Sequence, residues 1–276
     1  MTKTNDQIKE ITEKLEKGVQ EVFAGDAYAK YLEFVSKFYD YSANNCMLIW
    51  LQKPDASLVA GYKAWQDKFK RQVKKGEKAI RILAPCPHKF KKEVEDEDGN
   101  KTEKTIEYMT FRATSVFDIS QTEGEEIPSI CNELTGEVEN YADLLENLKK
   151  VSPVPVAFEK IEGGARGYFN YAEKRIALNE GMSEQQTIKT AIHEIAHSIL
   201  HNKEDGEEME ADKRTKEVQA ESVAYTVCNY LGLDTSDYSF GYVAGWSAGK
   251  EIKELTASME VIRKTAKSII EGLRAA

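Results

Sequence analysis

The five residues His193-Glu194-Ile195-Ala196-His197 constrain this chain more than any other feature of it. They lie within TIKTAIHEIAHSILH, 187–201, whose apolar residues recur at helical spacing. On an α-helix, positions i and i+4 share a face, so both imidazoles can reach one ion while Glu194 stands beside it. Neutral imidazole suits zinc, and a catalytic zinc keeps three protein ligands and one water. The ion brings that water's pKa toward about 7, where a neighbouring carboxylate can take its proton. The chain has four histidines in 276 residues, and composition alone gives about 0.007 accidental H-E-x-x-H matches. Coincidence is a poor account of the motif.

A third ligand has to come from another element. His201 lies at i+8 from His193, and one helix does not wrap three ligands around a tetrahedral ion without strain; it reads as a supporting residue or a bystander. The next helical run, EVQAESVAY, presents Glu217 and Glu221 four apart on one face. The pair reads as one ligand and one carboxylate that orients a ligand histidine, and spacing does not say which is which. The glycine turn of the longer H-E-x-x-H-x-x-G-x-x-H pattern is missing.

T-x-x-x-A-I-H-E-I-A-H-S-I-L-H followed by E-V-Q-A-E-S-V-A resembles the ImmA/IrrE-type zinc metallopeptidases, over about 150–235. The resemblance implies a small zincin-like α+β domain with His193, His197 and Glu217 as ligands of Zn2+ and Glu194 as general base. Glu221 then falls at the family's acidic or amide position behind the ligands. An extended peptide or protein substrate would lie along the preceding hairpin, 166–178, in the manner of an added strand.

Elsewhere the chain alternates helical and strand patterns. Ile8, Ile11, Leu15, Val19 and Val22 mark a helix over 5–24, and an aromatic-rich helical run fills 26–52. AIRILAP (79–85) reads as a strand, and 90–117 as a long hairpin with arms FKKEV and IEYMTFRATSVF. Helices are expected near 141–150, 184–201, 211–231 and 250–274, with a strand near 154–158. The last helix carries Ile252, Leu255, Met259, Ile262, Ala266, Ile269 and Leu273 in a stripe that reads as a core face, with a homodimer seam as the alternative. Cys46, Cys86, Cys131 and Cys228 are scattered with no C-x-x-C pair, as buried free thiols would be.

The net charge of −9 argues against nucleic acid only on average. GYKAWQDKFKRQVKKGEKAIR, 61–81, carries eight basic and two acidic residues, +6, which leaves −15 for the remainder. Cations suit phosphates and interleaved rings suit unpaired bases, so Tyr62, Lys63, Trp65, Arg71, Lys74, Lys75, Lys78 and Arg81 are the candidate contacts to single-stranded DNA. Arg71, Lys74, Lys75 and Lys78 are expected to fall partly on one face. The hairpin tip, with Glu93, Glu95, Asp96, Glu97, Asp98, Glu103 and Glu107 against Lys101 and Lys104, sums to −5 and is expected to point away from DNA.

Tyr41-Ser42, Asn45, Gly61-Tyr62, Trp65, Val73, Lys75-Gly76-Glu77, Pro85 and Val116-Phe117-Asp118 together resemble the N-terminal single-stranded-DNA-binding domain of ArdC-type antirestriction proteins, over about 8–122. Those proteins, and the LtrC-like proteins of mobile elements, join that domain to a zincin domain. Lys70 and Ala79 stand where the family often has glycine, which puts the turn at 70 in question.

The expected architecture is α+β in two domains. Residues 1–125 form a DNA-binding domain with a long hairpin, 126–140 a polar linker, and 141–276 a zincin-like metallopeptidase domain. No segment reaches the roughly 18 apolar residues of a membrane span, and the cytoplasm is the expected location. The expected function is that of a mobile-element-type antirestriction-like protein with a zinc peptidase site. The alternatives are a regulatory metalloprotease that cleaves a repressor-like protein, and a DNA-binding protein with a vestigial zinc site.

Overall fold

The computed structural model of the chain describes residues 2–24, 27–95, 101–127, 141–201 and 212–276. The hairpin tip 96–100, the side chains of 91–95 and 101–104, most of the expected linker, the acidic loop after His201 and Cys131 fall outside the described residues.

Three helices open the chain. α1 (Thr2–Ala24) buries Ile11, Leu15, Val19, Val22 and Phe23 at the expected spacing. α2 (Ala27–Lys37) buries Tyr28, Tyr31, Leu32, Phe34 and Val35. α3 (Ala43–Gln52) starts where the Ser42 hydroxyl accepts the Asn45 N–H, and buries Cys46, Met47, Leu48 and Ile49. After β1 (Val59–Ala60), the short α4 (Tyr62–Asp67) and β2 (Arg71–Val73), the long arms β3 (Ile80–Glu95) and β4 (Lys101–Asp118) pair antiparallel from Ile80↔Val116 to Glu95↔Lys101. β5 (Thr122–Gly124) pairs with β2. AIRILAP and FKKEV are thus one strand.

β3 is the edge of the sheet β1-β4-β3, and its outward backbone groups are closed from the side. The Asn45 amide donates to the Leu83 carbonyl and accepts the Leu83 N–H, both at 2.9 Å; Gln52 does the same at Arg81, also at 2.9 Å both ways. Two side-chain amides of α3 therefore stand in for a neighbouring strand. Backbone parity then turns residues 85 and 87 outward as well, and both are proline, with no N–H left to pair.

The second half continues with α5 (Tyr141–Val151), then β6 (Val156–Glu159), β7 (Gly167–Asn170) and β8 (Arg175–Asn179) in the order β6-β8-β7. β6 runs parallel to β8, and β7 is an antiparallel edge. α6 (Glu184–Leu200) packs on β7, β8 and α7 (Lys213–Tyr230); after the short α8 (Val243–Ser247), α9 (Ile252–Ala275) packs on α7, α3 and α5. Leu255, Met259, Ile262, Ala266 and Ile269 of α9 are buried, so its apolar stripe is filled within the chain.

The two halves share one apolar core. α2 packs on α7, and the buried Tyr28 hydroxyl lies 2.8 Å from Ser222 Oγ. Arg263 of α9 donates to the Tyr39 carbonyl at 2.7 Å, and Glu260 accepts the Ala43 N–H at 2.8 Å. The fold is α+β, as expected. Among the described residues no helix is long and apolar enough to cross a membrane.

Candidate metal centre and nucleic-acid face

α6 begins where Ser183 Oγ accepts the Gln186 N–H, and buries Ile188, Ala191, Ile192, Ile195 and Ala196 on the faces turned to the core. The remaining strip carries His193, Glu194 and His197 into a cleft of about 640 Å³, bounded across from α6 by Gly167, Tyr168, Phe169 and Tyr171. α7, whose first turn is capped by Asp212, brings Glu217 to the same cleft. His193 Nε2 and His197 Nε2 are 3.1 Å apart, and each lies 3.7 Å from the Glu217 carboxylate.

Those three side chains form a cluster of potential metal ligands. Donors about 2.1 Å from a tetrahedral ion stand about 3.4 Å apart, and the observed separations bracket that value. Two imidazoles and one carboxylate are also the donor set that catalytic zinc takes. Geometry and chemistry both fit a divalent ion.

The electrostatics suit the roles. Glu217 is held far below the usual carboxylate range by its interactions with His193 and His197. Burial pushes His193 down, but the Glu217 carboxylate and the charges of Glu194, Glu217 and Glu221 outweigh it, and the ring ends above the ordinary histidine value. Burial raises Glu194 against the opposing pull of His193, His197 and the Phe169 N–H. A carboxyl raised in this way is a group that can both accept and return a proton.

Gly167 makes this proximity possible. A Cβ there would stand 2.7 Å from Thr190 Cγ2, 2.9 Å from the Ala177 carbonyl and 3.4 Å from Glu194 Cγ, so only glycine lets β7 lie this close to α6.

Glu221 lines the cleft, and its carboxylate accepts the Tyr242 hydroxyl. The ring of His197 is instead supported by His201: the two Nδ1 atoms are 2.9 Å apart, and His201 Nε2 lies 3.3 Å from Gln219 Oε1. Gln219 Nε2 donates to Ser258 Oγ at 3.2 Å. Burial pushes His201 down to about 4, which keeps it neutral. Gln219 and Ser258 carry no sequence signal as site residues; Gln219 sits two residues from Glu217, and Ser258 on another helix, 39 positions beyond Gln219. Tyr171, half exposed at the cleft, has its hydroxyl raised by burial and by the charges of Glu217 and Glu194.

The basic window divides by burial. Lys63, Lys75, Lys78 and Arg81 are exposed, as is Tyr62, whose ring meets Phe117 edge-on. Trp65 is a correction: it is fully buried, and its indole N–H donates to the Phe117 carbonyl at 2.9 Å, so it is a core residue rather than a platform for bases. The helical face expected to gather Arg71, Lys74, Lys75 and Lys78 is a second correction, because α4 ends at Asp67 and a strand and turn follow. Arg71 donates to Thr122 Oγ1 at 2.7 Å, to the Thr122 carbonyl at 3.0 Å and to the carbonyls of Gly124 and Glu125, clamping β2 to β5. Lys74 donates to the Ser120 carbonyl at 3.0 Å. Lys70, at a position where the resembled family often has glycine, adopts a left-handed φ of 55°.

The hairpin adds rings that the basic window does not contain. Phe90, Tyr108 and Phe111 are about half exposed, and His88 stacks on Tyr108 with centroids 5.1 Å apart.

Residues 3–117 match the family model of the N-terminal domain of the anti-restriction factor ArdC, and residues 150–232 match that of the IrrE N-terminal-like domain. The chain is 30% identical to the uncharacterized protein pXO2-81 of Bacillus anthracis over 98% of its own length, and spans about half, 52%, of that protein. Two crystal structures of the antirestriction protein ArdC from the R388 plasmid are similar in fold. The metal-free form gives a TM-score of 0.55 at 21% identity, covering 85% of this chain and 86% of that one. The Mn(II)-bound form gives 0.54 at 19% identity, covering 84% and 85%. The chain thus joins a region that matches the N-terminal domain of ArdC to one that matches the IrrE N-terminal-like domain.

Proposed function

We propose that this chain binds single-stranded DNA through its N-terminal half and cleaves peptide bonds at a zinc centre in its C-terminal half, as an antirestriction-type protein. The observation that carries the reading is the cluster His193, His197 and Glu217 beside Glu194, in a cleft bounded by β7, the edge strand of its sheet among the described residues.

A zinc ion held by those three residues would supply Lewis acidity, activating a water and polarising a peptide carbonyl. Glu194, its carboxyl raised by burial, takes the proton of the attacking water and returns it to the departing amine. The outer edge of β7 offers backbone groups along which an extended peptide adds as an antiparallel strand. Glu221, tied to Tyr242, adds negative charge near His193.

On the DNA side, exposed Lys63, Lys75, Lys78 and Arg81 supply cations, and Tyr62 with the hairpin rings Phe90, Tyr108 and Phe111 supplies stacking surfaces in place of Trp65. Metal analysis of the purified full chain tests the first half of the reading, and binding of a single-stranded oligonucleotide at rising salt tests the second. Stoichiometric zinc and an affinity that falls steeply with salt are expected; affinity unchanged by salt removes the electrostatic face. Glu194→Ala separates the activities. Loss of proteolysis with DNA binding intact is expected, whereas a wild type that cleaves no peptide favours a DNA-binding protein with a vestigial centre.

A further inference from the structure

We propose that His201, Gln219 and Ser258 form a relay that holds the His197 ring in the tautomer protonated on Nδ1, leaving Nε2 bare toward the metal position. The inference rests on the metal-centre reading above and names the residues that prepare one of its ligands.

A neutral imidazole has one donor and one acceptor nitrogen, so two Nδ1 atoms 2.9 Å apart require one ring to donate to the other. Two complete arrangements follow. In the first, His197 Nδ1–H donates to His201 Nδ1, His201 Nε2–H donates to Gln219 Oε1 at 3.3 Å, and the Gln219 amide donates to Ser258 Oγ at 3.2 Å. In the second every bond reverses, the Gln219 amide turns over, and the proton arrives on His197 Nε2, where it blocks an ion. Only the first arrangement leaves His197 Nε2 free for an ion, and it calls for the Gln219 oxygen toward His201 and the nitrogen toward Ser258, as the amide is placed.

The relay is dry and built from three helices. His197, His201, Gln219 and Ser258 are all at most 9% exposed, so little water competes for the bonds. His201 sits at the C-terminus of α6 and fills the Nδ1 side of His197, opposite the side on which His193 and Glu217 gather. That position explains why a third histidine at i+8 supports a ligand instead of being one. Partners of this kind are worth about 10- to 100-fold in metal affinity.

The test uses the full-length chain, stripped of metal and titrated with Zn2+ against a competing chelator, together with imidazole nitrogen NMR of the metal-free protein. His201→Phe and Gln219→Leu are expected to bind zinc about 10- to 100-fold more weakly. Gln219→Glu is expected to recover most of the affinity, because a carboxylate oxygen still accepts from His201 and the Ser258 hydroxyl can turn to donate. Wild-type His197 is expected in the Nδ1–H form. If His201→Phe fails to fold, the two Gln219 variants decide. Wild-type affinity in Gln219→Leu, or His197 protonated on Nε2 in the wild type, overturns the relay while leaving the metal centre standing. A wild type that binds no zinc overturns the metal centre itself.

Discussion

The hydroxyl of Tyr28 donates to Ser222 Oγ across 2.8 Å, because Ser222 uses its own proton on the Val218 carbonyl at 2.6 Å. Both side chains are buried, one on α2 in the half that matches the ArdC N-terminal domain and the other one residue past Glu221 on the helix that carries Glu217. The direction of this bond makes the two truncations unequal. Tyr28→Phe leaves Ser222 with its carbonyl partner and costs about 1 kcal/mol; Ser222→Ala strands a buried phenol donor and costs about 1–3 kcal/mol. Denaturant unfolding of the single and double variants checks the order, and equal destabilisation would contradict it.

Gly167→Ala is expected to lower stability by about 1–3 kcal/mol, since the new methyl meets Thr190 Cγ2 at 2.7 Å and the Ala177 carbonyl at 2.9 Å. β7 must then move off α6, the helix that carries Glu194. Proteolysis should fall further than stability does, and Thr190→Ser in the same chain should restore part of both by removing one of the two clashes. Melting temperature and turnover measured together read out the difference.

Lys75→Ala and Lys78→Ala should leave the melting temperature unchanged and reduce the slope of log affinity against log salt by about 0.7 for each phosphate left without its lysine. Arg71→Ala should do the opposite, melting earlier because the clamp on Thr122, Gly124 and Glu125 is gone. An unchanged salt slope in the double lysine variant would move the DNA face elsewhere.

Acid should loosen the packing of α9 against the N-terminal helices. Burial pushes the Glu260 carboxyl up, but Arg263 and the Ala43 N–H outweigh it and hold it below its ordinary value. A depressed carboxyl stabilises the fold above its unfolded pKa, near 4.3, and that contribution is lost as pH falls from there through the folded value. Glu260→Gln should be less stable than wild type at neutral pH, with the gap narrowing below about pH 4. Urea midpoints across pH 3–7 provide the comparison.

The residues legible in the sequence are those whose role is local. His193, Glu194 and His197 declare themselves by spacing on one helix, and α1 and α9 by apolar stripes that the structure buries. Trp65 shows where reading along the chain fails. A ring among cations looks like a stacking surface, and only the distant Phe117 carbonyl, 52 residues on, makes it a core residue. The relay behind His197 is hidden for the same reason, since Gln219 and Ser258 gain meaning from the packing of three helices. Pro85 and Pro87 likewise gain their role only from β3 being an edge.

That edge decides how other molecules can meet the hairpin. Along residues 81–87 the outer rim of β3 is closed by Gln52 and Asn45 and then emptied of donors by two prolines, so no foreign strand can zip onto it there. The broad faces of the same ribbon, with Phe90, Tyr108 and Phe111, remain open. A flat ring can settle on those faces, whereas a backbone seeking a sheet to join along β3 finds a shut seam.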